Sequence, residues 1–73
     1  MAIRKKNDID PDGVVITISW ENMPVGASIF VPCINTEKAS RQIKAITNEK
    51  GWEIKQKVKI ESGKLGLRVW RFL

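Results

Sequence analysis

The C-terminal stretch WEIKQKVKIESGKLGLRVWRFL, residues 52–73, leaves this chain few ways to fold. Apolar and polar side chains alternate on both sides of Ser62 and Gly63, which is the period of two extended strands joined by a tight turn and not that of a helix. A turn of two or four residues opposes Ile60 to Leu65 and so sets the remaining pairs. Val58 then faces Leu67, Gln56 faces Val69 and Trp52 lies near Leu73, and this face is expected to meet a core. The opposite face carries Lys59 beside Gly66, Lys57 beside Arg68, Lys55 beside Trp70 and Glu53 beside Phe72. Like charges directly across a strand pair are destabilising unless an anion or a partner screens them. A three-residue bulged turn would slip the register and blur this division.

The remaining elements follow from local patterns. VVITISW, residues 14–20, alternates Val14, Ile16, Ile18 and Trp20 with Val15, Thr17 and Ser19, which predicts a strand with one buried face. ENMPVGA is a loop broken by Pro24 and Gly26. SIFVPCI, residues 28–34, is a second strand, apolar on both faces. Pro32 has no N–H to give a ladder, so this strand lies at a sheet edge or ends there. TEKASRQIKAITNEKG reads as the helix, with Thr36 as N-cap, Glu37 in the first turn, Lys50 near the end and Gly51 at the left-handed position after it. Ala39, Ile43 and Ile46 fall at i, i+4 and i+7 and form one narrow apolar stripe. MAIRKKNDIDPDG, residues 1–13, is polar, ends in turn formers and reads as a flexible N-terminal arm before a single domain spanning 14–73. The order β-β-α-β-β predicts a small single-domain α+β fold, an antiparallel sheet with one helix packed on one face.

A chain of 73 residues buries only about 60 to 65% of the surface it exposes when unfolded. Apolar burial and ordering entropy nearly cancel at this size, so a bound partner or a homodimer, through the sheet edge or the open face, bears on stability. Cys33 is the only cysteine; no disulfide forms within the chain, and a small buried apolar role in a reducing compartment is expected. No apolar run approaches the roughly 20 residues of a membrane span, and MAIRKKND lacks the hydrophobic segment of a signal peptide, so the expected setting is the cytoplasm, away from membranes.

Charge points toward polyanions. Thirteen Lys and Arg stand against eight Asp and Glu, a net +5. Residues 1–50 hold seven basic and six acidic side chains, a net +1, whereas residues 51–73 hold six and two, a net +4. The excess therefore lies on the hairpin, where Lys55, Lys57, Lys59, Arg68, Trp70 and Arg71 form the candidate nucleic-acid-binding set. Lysine and arginine would meet phosphates while Trp70, with Phe72 beside it, stacks on bases. The same face also reads as an ordinary solvated strand face, or as an interface for an acidic host protein, since Trp and Arg are favoured anchors there.

Other chemistries have less support. Asp8, Asp10, Asp12 and Gly13 match the opening of a calcium loop, but Ser19 replaces the terminal glutamate and Pro11 interrupts the loop. Without histidine and with one cysteine the chain has no zinc set. The usual base for a Ser or Cys nucleophile is likewise missing, and the acidic residues are scattered, so neither a metal, a cofactor nor an enzymatic activity is expected.

Two short stretches, GASIFVP at 26–32 and RVWRF at 68–72, carry a resemblance. With Gly26, Ser28, Phe30, Val31 and Pro32, and then Arg68, Val69, Trp70 and Arg71, the chain resembles small uncharacterised proteins of tailed bacteriophages that share G-x-S-x-F-V-P, one helix and a terminal R-V-W-R. The resemblance spans about residues 26 to 73. It implies a phage protein acting in the cytoplasm of a bacterial host and carries no activity with it.

Overall fold

Ser62 and Gly63 both adopt positive φ, 51° and 75°, the backbone combination of a two-residue turn whose twist matches that of the flanking strands. In this computed structural model, which describes residues 7–73, the turn joins β4 (Ile54–Glu61) to β5 (Lys64–Arg71). The expected register holds throughout: Ile60 pairs with Leu65, Val58 with Leu67, Lys57 with Arg68, Gln56 with Val69 and Lys55 with Trp70. Hydrogen bonding continues past the ladder, with Phe72 N donating to Glu53 O at 2.8 Å. β3 (Ser28–Pro32) pairs antiparallel with the other side of β5, so the sheet order is β3-β5-β4 and Pro32 ends an edge strand, where its missing N–H breaks no ladder.

Gly66 lets β3 and β5 close together. A Cβ added there would lie 2.5 Å from Val31 O, 2.6 Å from Phe30 Cζ and 2.9 Å from Pro32 Cα; two of these atoms are backbone and cannot swing aside. Gly66→Ala is therefore expected to destabilise the domain by about 1 to 3 kcal/mol, the usual range for forcing volume into a packed site. A thermal melt superposable on the parent's would show that β3 does not sit against β5 in this way.

The helix α1 spans Thr36–Glu49. Its N-cap is Asn35 rather than the expected Thr36: the Asn35 side chain accepts from Lys38 N at 3.0 Å, leaving Thr36 as the first helical residue. At the other end Gly51 is left-handed, φ 74°. Gly51 N donates to Asn48 O and Trp52 N to Thr47 O, the paired bonds of a Schellman termination. Ala39, Ile43 and Ile46 are buried as the stripe predicts and pack with Val31, Cys33, Leu67 and Val69 in one core.

The helix covers only part of the sheet. Val58, Ile60 and Leu65 belong by register to the core face, yet remain 53%, 73% and 37% exposed, while Leu67 and Val69 are buried. Alternation assigns a side chain to a face and says nothing of whether a second layer reaches it.

The N-terminal third departs most from expectation. Only Ile16–Thr17 of VVITISW is a strand, β2, and it pairs with β1, Asp8–Ile9, in a separate two-stranded ribbon. The chain then turns through a short 3-10 helix at Trp20–Asn22. Among the described residues the fold is thus α+β with one α-helix and five strands in two antiparallel sheets, not a single four-stranded sheet. Residues 8–13, expected in an arm, are part of the packed body: Ile9 is fully buried in the core. Residues 1–6 of that arm lie outside the described residues. Four long-range hydrogen bonds through Asp10 and Asp12 dock the segment. Asp10 N donates to Gln42 Oε1 at 2.9 Å, and Gln42 Nε2 returns a bond to Asp10 Oδ1 at 2.7 Å. Ile34 N and Asn35 N both donate to the Asp12 carboxylate at 2.8 Å, and these bonds, Asn35 first, hold the Asp12 carboxyl below its usual range. Two of the three carboxylates that matched a calcium loop, Asp10 and Asp12, therefore fasten this segment to the middle of the helix and to the residues that lead into it. Among the described residues no three acidic, cysteine or histidine side chains gather into a metal-ligand group, and no helix is long and apolar enough to cross a membrane.

Candidate nucleic-acid interface

On the face of the sheet turned away from α1, β4 projects Lys55, Lys57 and Lys59 at alternate positions, about 6.8 Å apart along an extended strand. All three are exposed, and no carboxylate pairs with any of them among the described residues. β5 brings Trp70 directly opposite Lys55, and Phe72 follows two positions later on the same side. These five side chains line one groove of about 360 Å³. Phe72 is 57% exposed and Trp70 half-buried. The Lys59 ammonium lies 5.8 Å from the Trp70 ring centroid, within range of a cation–π contact.

Arg68 sits on the same face but is already engaged. Its Nε donates to Glu61 Oε2 at 2.9 Å, its Nη2 to Glu61 Oε1, and its Nη1 to Ser28 Oγ at 3.1 Å. The guanidinium also lies 5.7 Å from the Phe30 centroid. The bond from Arg68 holds the Glu61 carboxyl below its ordinary range, helped by the Arg68 and Lys59 charges against the opposing effect of desolvation; the same bond raises Arg68 further above its own. This pair resolves the like-charge contact of Lys57 with Arg68, because Glu61 neutralises the arginine from the same face. Arg68 braces β3 against β5, and the lysine row, which forms no salt bridge among the described residues, carries the charge left for a ligand.

Arg71 does not join the group. It lies on the helix side of the sheet, where its guanidinium stacks 3.7 Å from the Trp52 centroid, its Nη1 donates to Met23 O at 2.9 Å and its Nε to Leu73 O at 3.1 Å. Period-2 alternation already puts residue 71 with Val69 and Leu67, away from Trp70. Arg71 instead completes a second aromatic cluster, in which Trp20 and Trp52 meet edge to face at 5.9 Å with the Lys50 ammonium 5.6 Å from the Trp52 centroid. Of the six candidate residues, four line or border the groove as Lys55, Lys57, Lys59 and Trp70; Arg68 adjoins it through Glu61; Arg71 faces elsewhere.

The residues that sequence reading missed are Glu61, Ser28 and Phe30. Glu61 shares the parity of the lysines, a signal present in the alternation. Ser28 and Phe30 carried none, because nothing local says which strand pairs with β5. The pairing itself is informative: Ser28 stands opposite Trp70, Ile29 opposite Val69 and Phe30 opposite Arg68. The G-x-S-x-F-V-P and R-V-W-R stretches, some forty positions apart in the chain, are therefore neighbouring strands. No family model matches this chain, and neither a curated protein nor a solved structure matches it.

Proposed function

We propose that this chain is a small, non-enzymatic nucleic-acid-binding protein of regulatory type, which holds its ligand on the open face of β4 and β5. One observation carries the reading: three exposed lysines that form no salt bridge among the described residues and two aromatic rings line a single groove. A row of cations attracts phosphates by releasing their counterions, and the rings offer bases a π-face. The resemblance through Gly26, Ser28, Phe30, Val31, Pro32 and Arg68 to Arg71 adds the proposal of a phage-type protein at work in a bacterial cytoplasm.

The test is fluorescence anisotropy with labelled DNA and RNA over a range of salt concentrations, starting low. Affinity is expected to fall steeply with salt, as phosphate contacts require. Trp70→Ala is expected to lose about 1 to 3 kcal/mol of affinity with an unchanged salt slope, since stacking releases no counterions. A melt of the variant accompanies the titration, because Trp70 is half-buried and unfolding would mimic lost binding. A parent that binds neither DNA nor RNA at low salt refutes the reading.

A second reading is favoured by a different observation. Val58, Ile60 and Leu65 are exposed on the helix side of the hairpin, and among the described residues β4 is an edge strand with one side unpaired. These features suit a protein partner, an acidic host factor whose charges face Lys55, Lys57 and Lys59, or a second copy of the chain. Salt separates the two, since a largely apolar protein interface loses far less affinity as salt rises than phosphate contacts do.

A further inference from the structure

The shape of the groove narrows the class of nucleic acid. The lysines stand along one strand at the edge of the sheet, while Trp70 and Phe72 come from the neighbouring strand and its continuation. The lysines of the groove thus come from one strand and its rings from the next, with the Lys59 ammonium reaching over Trp70. A duplex presents phosphates from two strands and keeps its base faces stacked inside, where a ring on a sheet surface meets none unless the stack is opened. A single strand can lay one backbone along the lysine row and turn its bases onto the rings, and the two rings, two positions apart in an extended segment, are about 6.8 Å apart along the chain. The Lys59 ammonium, now 5.8 Å from the Trp70 centroid, occupies the place over the ring that a base would take. Its flexible stem lets it move to a phosphate as the base arrives.

We infer that the ligand of this groove is single-stranded nucleic acid, its phosphates on Lys55, Lys57 and Lys59 and its bases on Trp70 and Phe72. This rests on the nucleic-acid reading of the same groove and specifies it. The experiment changes the ligand and leaves the protein intact, so no variant needs to fold. Three labelled probes are titrated at low salt: a short oligothymidylate, a duplex of the same strand length, and a strand of that length with abasic sites in place of its bases. The oligothymidylate is expected to bind about 5- to 150-fold more tightly than the abasic strand for each base that stacks, with the same salt slope. The duplex is expected to bind no better than the abasic strand. Equal binding of oligothymidylate and duplex, or a preference for the duplex, overturns the single-strand inference and leaves the nucleic-acid reading standing. Equal binding of oligothymidylate and abasic strand overturns the stacking role. Failure of all three probes to bind overturns both readings.

Discussion

Ile43→Ala is expected to destabilise this domain by about 2 to 4 kcal/mol. The side chain is fully buried at the middle of the apolar stripe of α1, between Ala39 and Ile46, in the core that also holds Ile9, Leu67 and Val69. Truncation removes its transfer energy and leaves a cavity that the surrounding sheet, pinned by its ladders, fills only in part. A chain of 73 residues has about 4 to 11 kcal/mol of stability in all, so the loss is a large fraction of the total. At about 4 to 8 °C per kcal/mol for a domain of this size, the melting temperature falls by roughly 10 °C or more. Ile60→Ala supplies the contrast. Ile60 lies on the same side of the sheet but is 73% exposed, and its truncation should change stability by no more than about 0.5 kcal/mol. Circular-dichroism melts of the two variants decide the matter: equal effects would mean that α1 does not cover the sheet over Leu67 and Val69 alone.

Replacing Lys55, Lys57 and Lys59 together by alanine is expected to abolish most nucleic-acid binding while leaving the fold intact. All three are exposed and none forms a salt bridge among the described residues, so their removal breaks no such bridge and relieves mutual repulsion on the strand. If each neutralises one phosphate of a single strand, the log–log salt slope becomes shallower by about 2, and affinity at 0.1 M salt drops on the order of 100-fold. Arg68→Ala should behave differently, because the guanidinium is held by Glu61 and Ser28: its loss acts mainly on stability, leaving Glu61 unpaired and Phe30 uncovered. A triple-lysine variant that binds with the parent's affinity and slope would move the interface off this face.

Local chemistry was enough for several features of the structure. The turn at Ser62 and Gly63, the register from Ile60↔Leu65 to Lys55↔Trp70, the Gly51 helix stop, the Ala39–Ile43–Ile46 stripe and the edge position of the Pro32 strand all depend on residues close in sequence, whose periodicity and turn preferences act before any distant contact forms. The lysine row with Trp70 on the opposite face from the core follows from the same alternation. What lies beyond that range needed the tertiary structure. Asp10 and Asp12 reach Gln42 and the backbone of Ile34 and Asn35 across more than twenty positions, drawing Ile9 into the core, and such polar-to-backbone bonds have no periodicity to read. Arg68 is committed to Glu61 and Arg71 to Trp52, so a count of positive charges overstates the cations available to a ligand. Pairing of β3 with β5, the exposure left at Val58, Ile60 and Leu65, and the closure of five side chains into one groove depend on where the helix and the edge strand come to rest, because a strand pattern specifies which way a side chain points and only packing specifies what it meets.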